Sequence, residues 1–505
     1  MLQSSGVRPR WMDRKHNPFY GICCLLVLCF SIKAQSIDQV ALDRLSDQLL
    51  ELQNSELMRN GTVGFSVQST SSNKSVLGLN EELSLPSAST LKLVSTATVL
   101  SLMSGDYTYT TFLEYDGRVS RDTLFGNLYL RGTGDPSLGS SRFKGYSDSN
   151  ELLDRWAEAV RRAGIRHVTG QVIADPTIFD ESSVADTWIW GDLGNYYGAG
   201  VQGLNFNENL YRVFFKAGQN VGDPTEFIKL QPSFPYLEII NRVRTGEAGS
   251  GDQVYIFASP LGREILLTGT VPRGAFSFPV KGALPNPAFA TAYWLTEALR
   301  SNAVGISGLP GVQLSSLSLS RERIVLDRYY SPSLRDLCQQ TNWWSINLYA
   351  DSFLKLAGIR IDGKSNFDSA AKAVAEYWRE RGADTRGFFI RDGSGLSPAG
   401  SLTAANLSDI LRQATREKTF PDFYQSIAVL GQTGTVRNMG KGTRAAGNVR
   451  AKSGSIDGTR AYAGYVTARS GELLSFAIIA HKYSPSESRL MGQELAKILV
   501  LLGEL

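Results

Sequence analysis

A chain of 505 residues exceeds what one hydrophobic core supports, so two or three domains are expected. Lys and Arg total 52 against 48 for Asp and Glu, a net charge of +4, and no dense basic block occurs. That balance excludes a protein built to bind phosphate backbones, so no nucleic acid is expected as a partner.

In chain order, Arg8, Arg10, Arg14 and Lys15 precede an apolar run from Phe19 to Ile32, followed by Ala34. This is the pattern of an export signal over residues 1–34, since the run falls short of the roughly 20 apolar residues a spanning helix needs. The untidy Ile32-Lys33-Ala34 site supports a second reading, an uncleaved anchor, so membrane association stays open. Cys23, Cys24 and Cys29 lie inside the run, leaving Cys338 without a partner for an internal disulfide.

Val40 to Leu57 carries helical apolar spacing, and Thr62 to Gln68 with Lys74 to Leu79 alternates as a hairpin. A helix is expected to start at Ser89 after the turn Pro86-Ser87-Ala88. Leu91, Leu93, Val94, Val99, Leu100, Leu102 and Met103 surround it, which predicts burial, and Gly105 ends it. From residue 106 to 285 the texture changes to short strand-like runs with Gly, Pro and Asn turns, plus one helix at Asn150–Ala163. Helices dominate again from Ala288, followed by strands Ala461–Thr467 and Leu473–Ala480 and a closing helix Ser488–Leu502. The expectation is one α/β domain, residues 35–105 and 286–505, split by a mostly β insertion of two small domains at 106–285.

Only His167 and His481 follow the signal, each in an apolar segment with no nearby Ser or acid motif. A Ser-His-Asp site therefore lacks its base, and no His/Cys cluster of metal spacing exists. A lysine can activate a serine instead, once desolvation lowers its free pKa of about 10.4. Ser-x-x-Lys occurs at Ser71/Lys74, Ser89/Lys92, Ser141/Lys144, Ser352/Lys355 and Ser369/Lys372. Context selects Ser89, at the start of a buried helix, while the other pairs are expected in polar turns or on solvated helix faces. Taken alone, Ser89 reads better as a plain N-cap. Two further elements reverse that weighing: Ser345-Ile346-Asn347 has S-x-N spacing, and Lys452-Ser453-Gly454 leads on to Ser455. S-x-x-K, S-D-N and K-T-G are the signature of penicillin-interacting serine enzymes, and the three elements here stand in the order that signature requires.

Further segments are Gly134-Asp135-Pro136-Ser137-Leu138, Trp188-Ile189-Trp190-Gly191-Asp192, Asn205-Phe206-Asn207-Glu208-Asn209, Ser345 to Asp351 and Asp392-Gly393-Ser394-Gly395-Leu396-Ser397. On these, the chain from about Asp38 onward resembles the class C low-molecular-mass penicillin-binding proteins, the D-alanyl-D-alanine carboxypeptidase/endopeptidase family of the penicillin-binding protein 4 type. The resemblance implies a penicillin-binding/β-lactamase-like serine peptidase domain, an antiparallel sheet flanked by helices. It implies catalytic roles for Ser89 as acylated nucleophile, Lys92 as proton acceptor, and Ser345 and Asn347 as proton relay and amide holder. Lys452 would bind the substrate carboxylate beside the Ser453 hydroxyl, and the N–H groups of Ser89 and Ser455 would form the oxyanion hole. Asp192 would lie near the amino end of a diaminopimelate side chain. Asp135 and Asp392 are expected to fix Gly-rich turns, and Trp188 and Trp190 to pack.

The implied activity is hydrolysis of D-Ala-D-Ala stem peptides of peptidoglycan, with D-Ala–meso-diaminopimelate cross-links as a second substrate, in the periplasm or cell envelope. No cofactor is required, no metal is expected, and β-lactams are expected as acylating inhibitors. Ser453 stands where the family carries Thr, and Ile346 where it carries an acidic or polar residue. Ile346 is the one feature favouring a catalytically weak wall-binding or penicillin-sensing protein. A β-lactamase or D-esterase on the same fold is opposed by the long insertion and the full motif set.

Overall fold

The strongest strand signals lie at the two ends of the chain, and they meet in one sheet. In the computed structural model, which describes residues 37–72, 74–314 and 322–505, Thr62–Ser69 and Ser75–Leu79 form the expected hairpin. The export segment and its three cysteines lie outside the described residues. The sheet runs Arg450–Ile456, Thr459–Thr467, Leu473–His481, Thr62–Ser69, Ser75–Leu79, with every neighbouring pair antiparallel.

Leu473–His481 is buried everywhere except at its ends, as a strand covered on both faces must be. Side chains alternate between faces, so its successive residues divide between two cores. Phe476 and Ile478 meet Leu45, Leu49, Leu495 and Leu499 from the helices Gln39–Gln53 and Ser488–Leu502. Ala477 and Ile479 meet Leu93, Leu407 and Ile410 from the helices Lys92–Met103 and Ala404–Ala414. This part of the chain is thus a helix, sheet, helix sandwich.

Two helix boundaries differ from expectation. The first helix ends at Gln53, with a separate 3-10 turn at Glu56–Met58. The α-helix expected to open at Ser89 begins instead at Lys92, after a 3-10 turn over Ala88–Leu91.

A further core joins residues from Leu113 to Tyr329, built on four sheets and the helices Ser149–Arg162 and Pro287–Ser301. Trp156 and Trp294 close on Phe206 at its centre. Its character is mostly β, and it takes in the Pro287–Ser301 helix and the Ile324–Tyr330 strand, beyond the 106–285 segment.

Phe476 has no exposed surface in the sheet. Phe476→Ala should lower unfolding free energy by about 3–5 kcal/mol, whereas Val40→Ala, 62% exposed, should change it by about 0.5 kcal/mol or less. Denaturant titration of both variants checks the difference.

Candidate active site

A 3-10 turn eclipses residues i and i+3, the relation a Ser-x-x-Lys pair needs. Ser89 lies in that turn and Lys92 opens the helix behind it. Lys92 Nζ donates to Ser89 Oγ at 2.8 Å and to the Ser394 carbonyl at 2.6 Å. Ala88, beside Ser89, has φ 45°, and a Cβ at Gly395 would stand 1.9 Å from its carbonyl oxygen. Only glycine lets the two backbones approach so closely.

Lys92 is fully buried. Burial lowers its ammonium to about 8, against the opposing fields of Asp351 and Asp392. Those carboxylates also shape the loop that supplies the Ser394 carbonyl. Asp392 accepts from Gly395 N, Ser397 N and Trp188 Nε1, each at 2.7 Å. Asp351 accepts from Gly393 N at 2.8 Å, and Ser95, one turn beyond Lys92, donates to the Gly393 carbonyl at 2.6 Å. Burial raises the Asp351 carboxyl, and the neighbouring Asp392 adds to this.

Ser345 ends the helix Leu334–Trp344 in the left-handed region, φ 60°, and Asn347 opens the helix Asn347–Asp362. The break between them leaves Ser345 Oγ 2.9 Å from Lys452 Nζ. Lys452, also fully buried, donates a second bond to the Ser453 carbonyl at 2.7 Å. Burial pushes its ammonium well below the lysine range, and the charge of Lys92 adds to the effect. Ile346 packs against the core beneath, which gives the apolar centre of S-x-N a place to go. Asn347 Nδ2 donates to the Tyr197 carbonyl at 2.8 Å.

Ser89, Ser345, Asn347, Ser455 and Asp192 line one open cleft of about 570 Å³. Asp192, in the short helix Trp190–Leu193, has its carboxyl raised by burial, with the Tyr197 hydroxyl opposing. Ser453 Oγ lies 2.8 Å from Thr435 Oγ1, a residue the sequence reading did not single out. Asp351 was noticed only as part of a motif, because nothing in chain order brings it to Lys92.

The remaining candidates fall elsewhere. Ser352/Lys355 is not on a solvated face: both residues are buried, with Lys355 Nζ on Asp180 at 2.5 Å and Ser352 Oγ on the Gly134 carbonyl at 2.6 Å. His167 meets Ser307 Oγ at 3.1 Å and His481 meets Thr459 Oγ1 at 2.8 Å; neither lines the cleft. Trp188 packs as expected and bonds Asp392, whereas Trp190 is largely exposed and stacks on Phe257. Cys338 is a buried free thiol.

A model of the D-Ala-D-Ala carboxypeptidase 3 (S13) family matches residues 45–500. A D-alanyl-D-alanine carboxypeptidase of Actinomadura sp. is 30% identical over 409 residues, covering 79% of this chain and 73% of that protein. The D-alanyl-D-alanine carboxypeptidase DacB of Haemophilus influenzae is 23% identical over 437 residues, 86% of this chain and 88% of its own. The crystal structure of penicillin binding protein 4 (dacB) from Haemophilus influenzae superimposes with a TM-score of 0.76 at 21% identity, over 91% of this chain and 98% of that one.

A lysine accepts a proton only when neutral, so modification of Ser89 by a β-lactam should accelerate as pH rises through about 8 and level off above it. Asp351→Asn removes a field that keeps the Lys92 ammonium charged, so the midpoint should move to lower pH. Stopped-flow acylation rates of both proteins across that range measure the shift.

Proposed function

We propose that this chain, which belongs to the D-Ala-D-Ala carboxypeptidase 3 (S13) family and is a serine-type D-Ala-D-Ala carboxypeptidase, forms its acyl-enzyme on Ser89 with Lys92 as base. The observation that carries this reading is a fully buried lysine, its ammonium lowered to about 8, 2.8 Å from a serine hydroxyl in an open cleft. Lys92 takes the Ser89 proton as Oγ attacks the carbonyl between two D-alanines. The backbone N–H groups of Ser89 and Ser455 receive the oxyanion, each such donor contributing about 10²–10³ in rate.

Ser345, bonded to Lys452, relays the proton held by Lys92 to the departing amine, which leaves Lys92 neutral, and the Asn347 amide turns from the Tyr197 carbonyl to the substrate peptide. The substrate carboxylate meets Lys452 and the Ser453 hydroxyl, with the Thr435 hydroxyl behind it. Water then attacks the acyl carbonyl and gives its proton to the neutral Lys92, which hands it to Ser89 Oγ as the acid leaves. Asp192 takes the ammonium of a diamino acid side chain across the cleft, and the open cleft gives room for a cross-linked peptide, hence the endopeptidase activity.

A β-lactam acylates the same hydroxyl, in keeping with the solved complex of Haemophilus influenzae penicillin binding protein 4 with a β-lactam, whose fold this chain shares at a TM-score of 0.72. The site of action is peptidoglycan outside the cytoplasmic membrane.

Intact mass after benzylpenicillin should rise by one penicillin in the folded protein and not at all in Ser89→Ala. A wild type that stays unmodified would sink the mechanism. Lys92→Ala should slow acylation by about 10²–10⁴. Asp192→Asn should raise KM for a peptide with an ammonium-bearing side chain by about tenfold and leave its acetylated analogue unchanged.

A further inference from the structure

Two of the segments singled out in the sequence, Gly134-Asp135-Pro136-Ser137-Leu138 and Asn205 to Asn209, have no part in the chemistry above. They lead to a second cavity, about 280 Å³, lined by Arg142, Asn207, Glu208, Tyr211, Arg212 and Lys281, among others. Asn207, Glu208 and Asn209 all lie in the left-handed region, φ 51°, 55° and 52°. Asn tolerates that conformation, but for Glu it is strained, by about 1–2 kcal/mol. The strain sets Glu208 where Ser140 Oγ, Arg142 Nε and Tyr349 OH donate to it at 2.7, 2.5 and 3.0 Å. All three bonds fall on Oε1 of the one carboxylate that lines the cavity.

The facing sheet carries unmatched positive charge. Arg212 on the strand Leu210–Lys216 stands directly opposite Lys281 on one neighbour and Gln231 on the other. Like charges facing across an antiparallel pair are destabilising. The other lysines of this sheet face have partners: Lys216 pairs with Glu226 at 3.3 Å, and Lys229 lies over the Phe214 ring. Among the described residues Arg212 and Lys281 have no side-chain hydrogen bond, ion pair or ring contact.

We infer that this cavity is an exosite for a carboxylate of the peptidoglycan polymer, held by Arg212 and Lys281 with the outer guanidinium nitrogens of Arg142. The polymer offers such carboxylates on stem peptides neighbouring the one being cut, so the choice of ligand rests on the peptidase reading. The cavity joins the catalytic part through Tyr349, two residues beyond Asn347.

The test uses the full chain carrying Ser89→Ala, bound to purified sacculi with free or carbodiimide-amidated carboxyls. R212E/K281E should weaken binding to untreated sacculi by about tenfold and cost nothing further on amidated sacculi, where amidation also removes the carboxylate met by Lys452. K216E/K229E, the same charge change on the same sheet, should have little effect. Equal loss in both double variants, or undiminished binding by R212E/K281E, overturns the exosite. Benzylpenicillin acylation with Ser89 intact should proceed at the wild-type rate in R212E/K281E, which certifies folding and tests the catalytic reading separately. If that variant does not fold, R212Q/K281Q repeats the comparison.

Discussion

A lysine ammonium with no exposed surface stands between a serine hydroxyl and a peptide carbonyl, and much of the peptidase part is arranged around it. Burying such an ion alone costs several kcal/mol, and the usual outcome is loss of its proton. Here the cost is partly offset by the Ser394 carbonyl and by the fields of Asp351 and Asp392, so Lys92 settles near neutral pH instead of far below it. The Asp392–Ser397 loop follows from this need. Its amides point at carboxylates, and its Ser394 carbonyl points at the amine.

The same loop ties the peptidase part to the region threaded through its middle. Trp188 donates to Asp392, Thr187 Oγ1 lies 2.6 Å from Ser397 Oγ, and Asn347 holds the Tyr197 carbonyl. The arm that carries Asp192 is thus fastened at both ends to groups adjoining the nucleophile. Without this arm Asp392 would be short of a donor and Asn347 would lack the partner it has here. The segment from Thr187 to Tyr197 is part of the cleft's mechanical support, and Glu208 with Tyr349 adds a further attachment.

The order of motifs singles out Ser89, Lys92, Ser345, Asn347 and Lys452, each in a short segment whose spacing carries its own geometry, and the fold brings these segments together around one cleft. Where the helix began was harder to read, since a 3-10 turn and the first turn of an α-helix share the same sequence cues. Asp351 and Thr435 were not legible as partners of the site: their roles come from tertiary contact with Lys92 and Ser453, and no periodicity encodes such contact. Lys355 misled for a related reason. A lysine reads as solvated until its acid, Asp180, is found far away in the chain. The second core was readable as mostly β, but the apolar face of Pro287–Ser301 does not declare which core it serves.

The sheet that aligns the nucleophile turn with Lys452 pairs Thr62–Ser69 with Leu473–His481, strands from opposite ends of the chain. At ribosomal rates of about 5–20 residues per second, the first hairpin waits on the order of tens of seconds for its neighbour to exist. Through that interval Ser89 and Lys92 have neither the wall that buries the lysine nor the strand that brings Ser455. A nascent or C-terminally truncated chain therefore carries the Ser89–Lys92 pair without the surroundings that lower the lysine, and the proposed acylation chemistry becomes available only when the last strand closes the sheet.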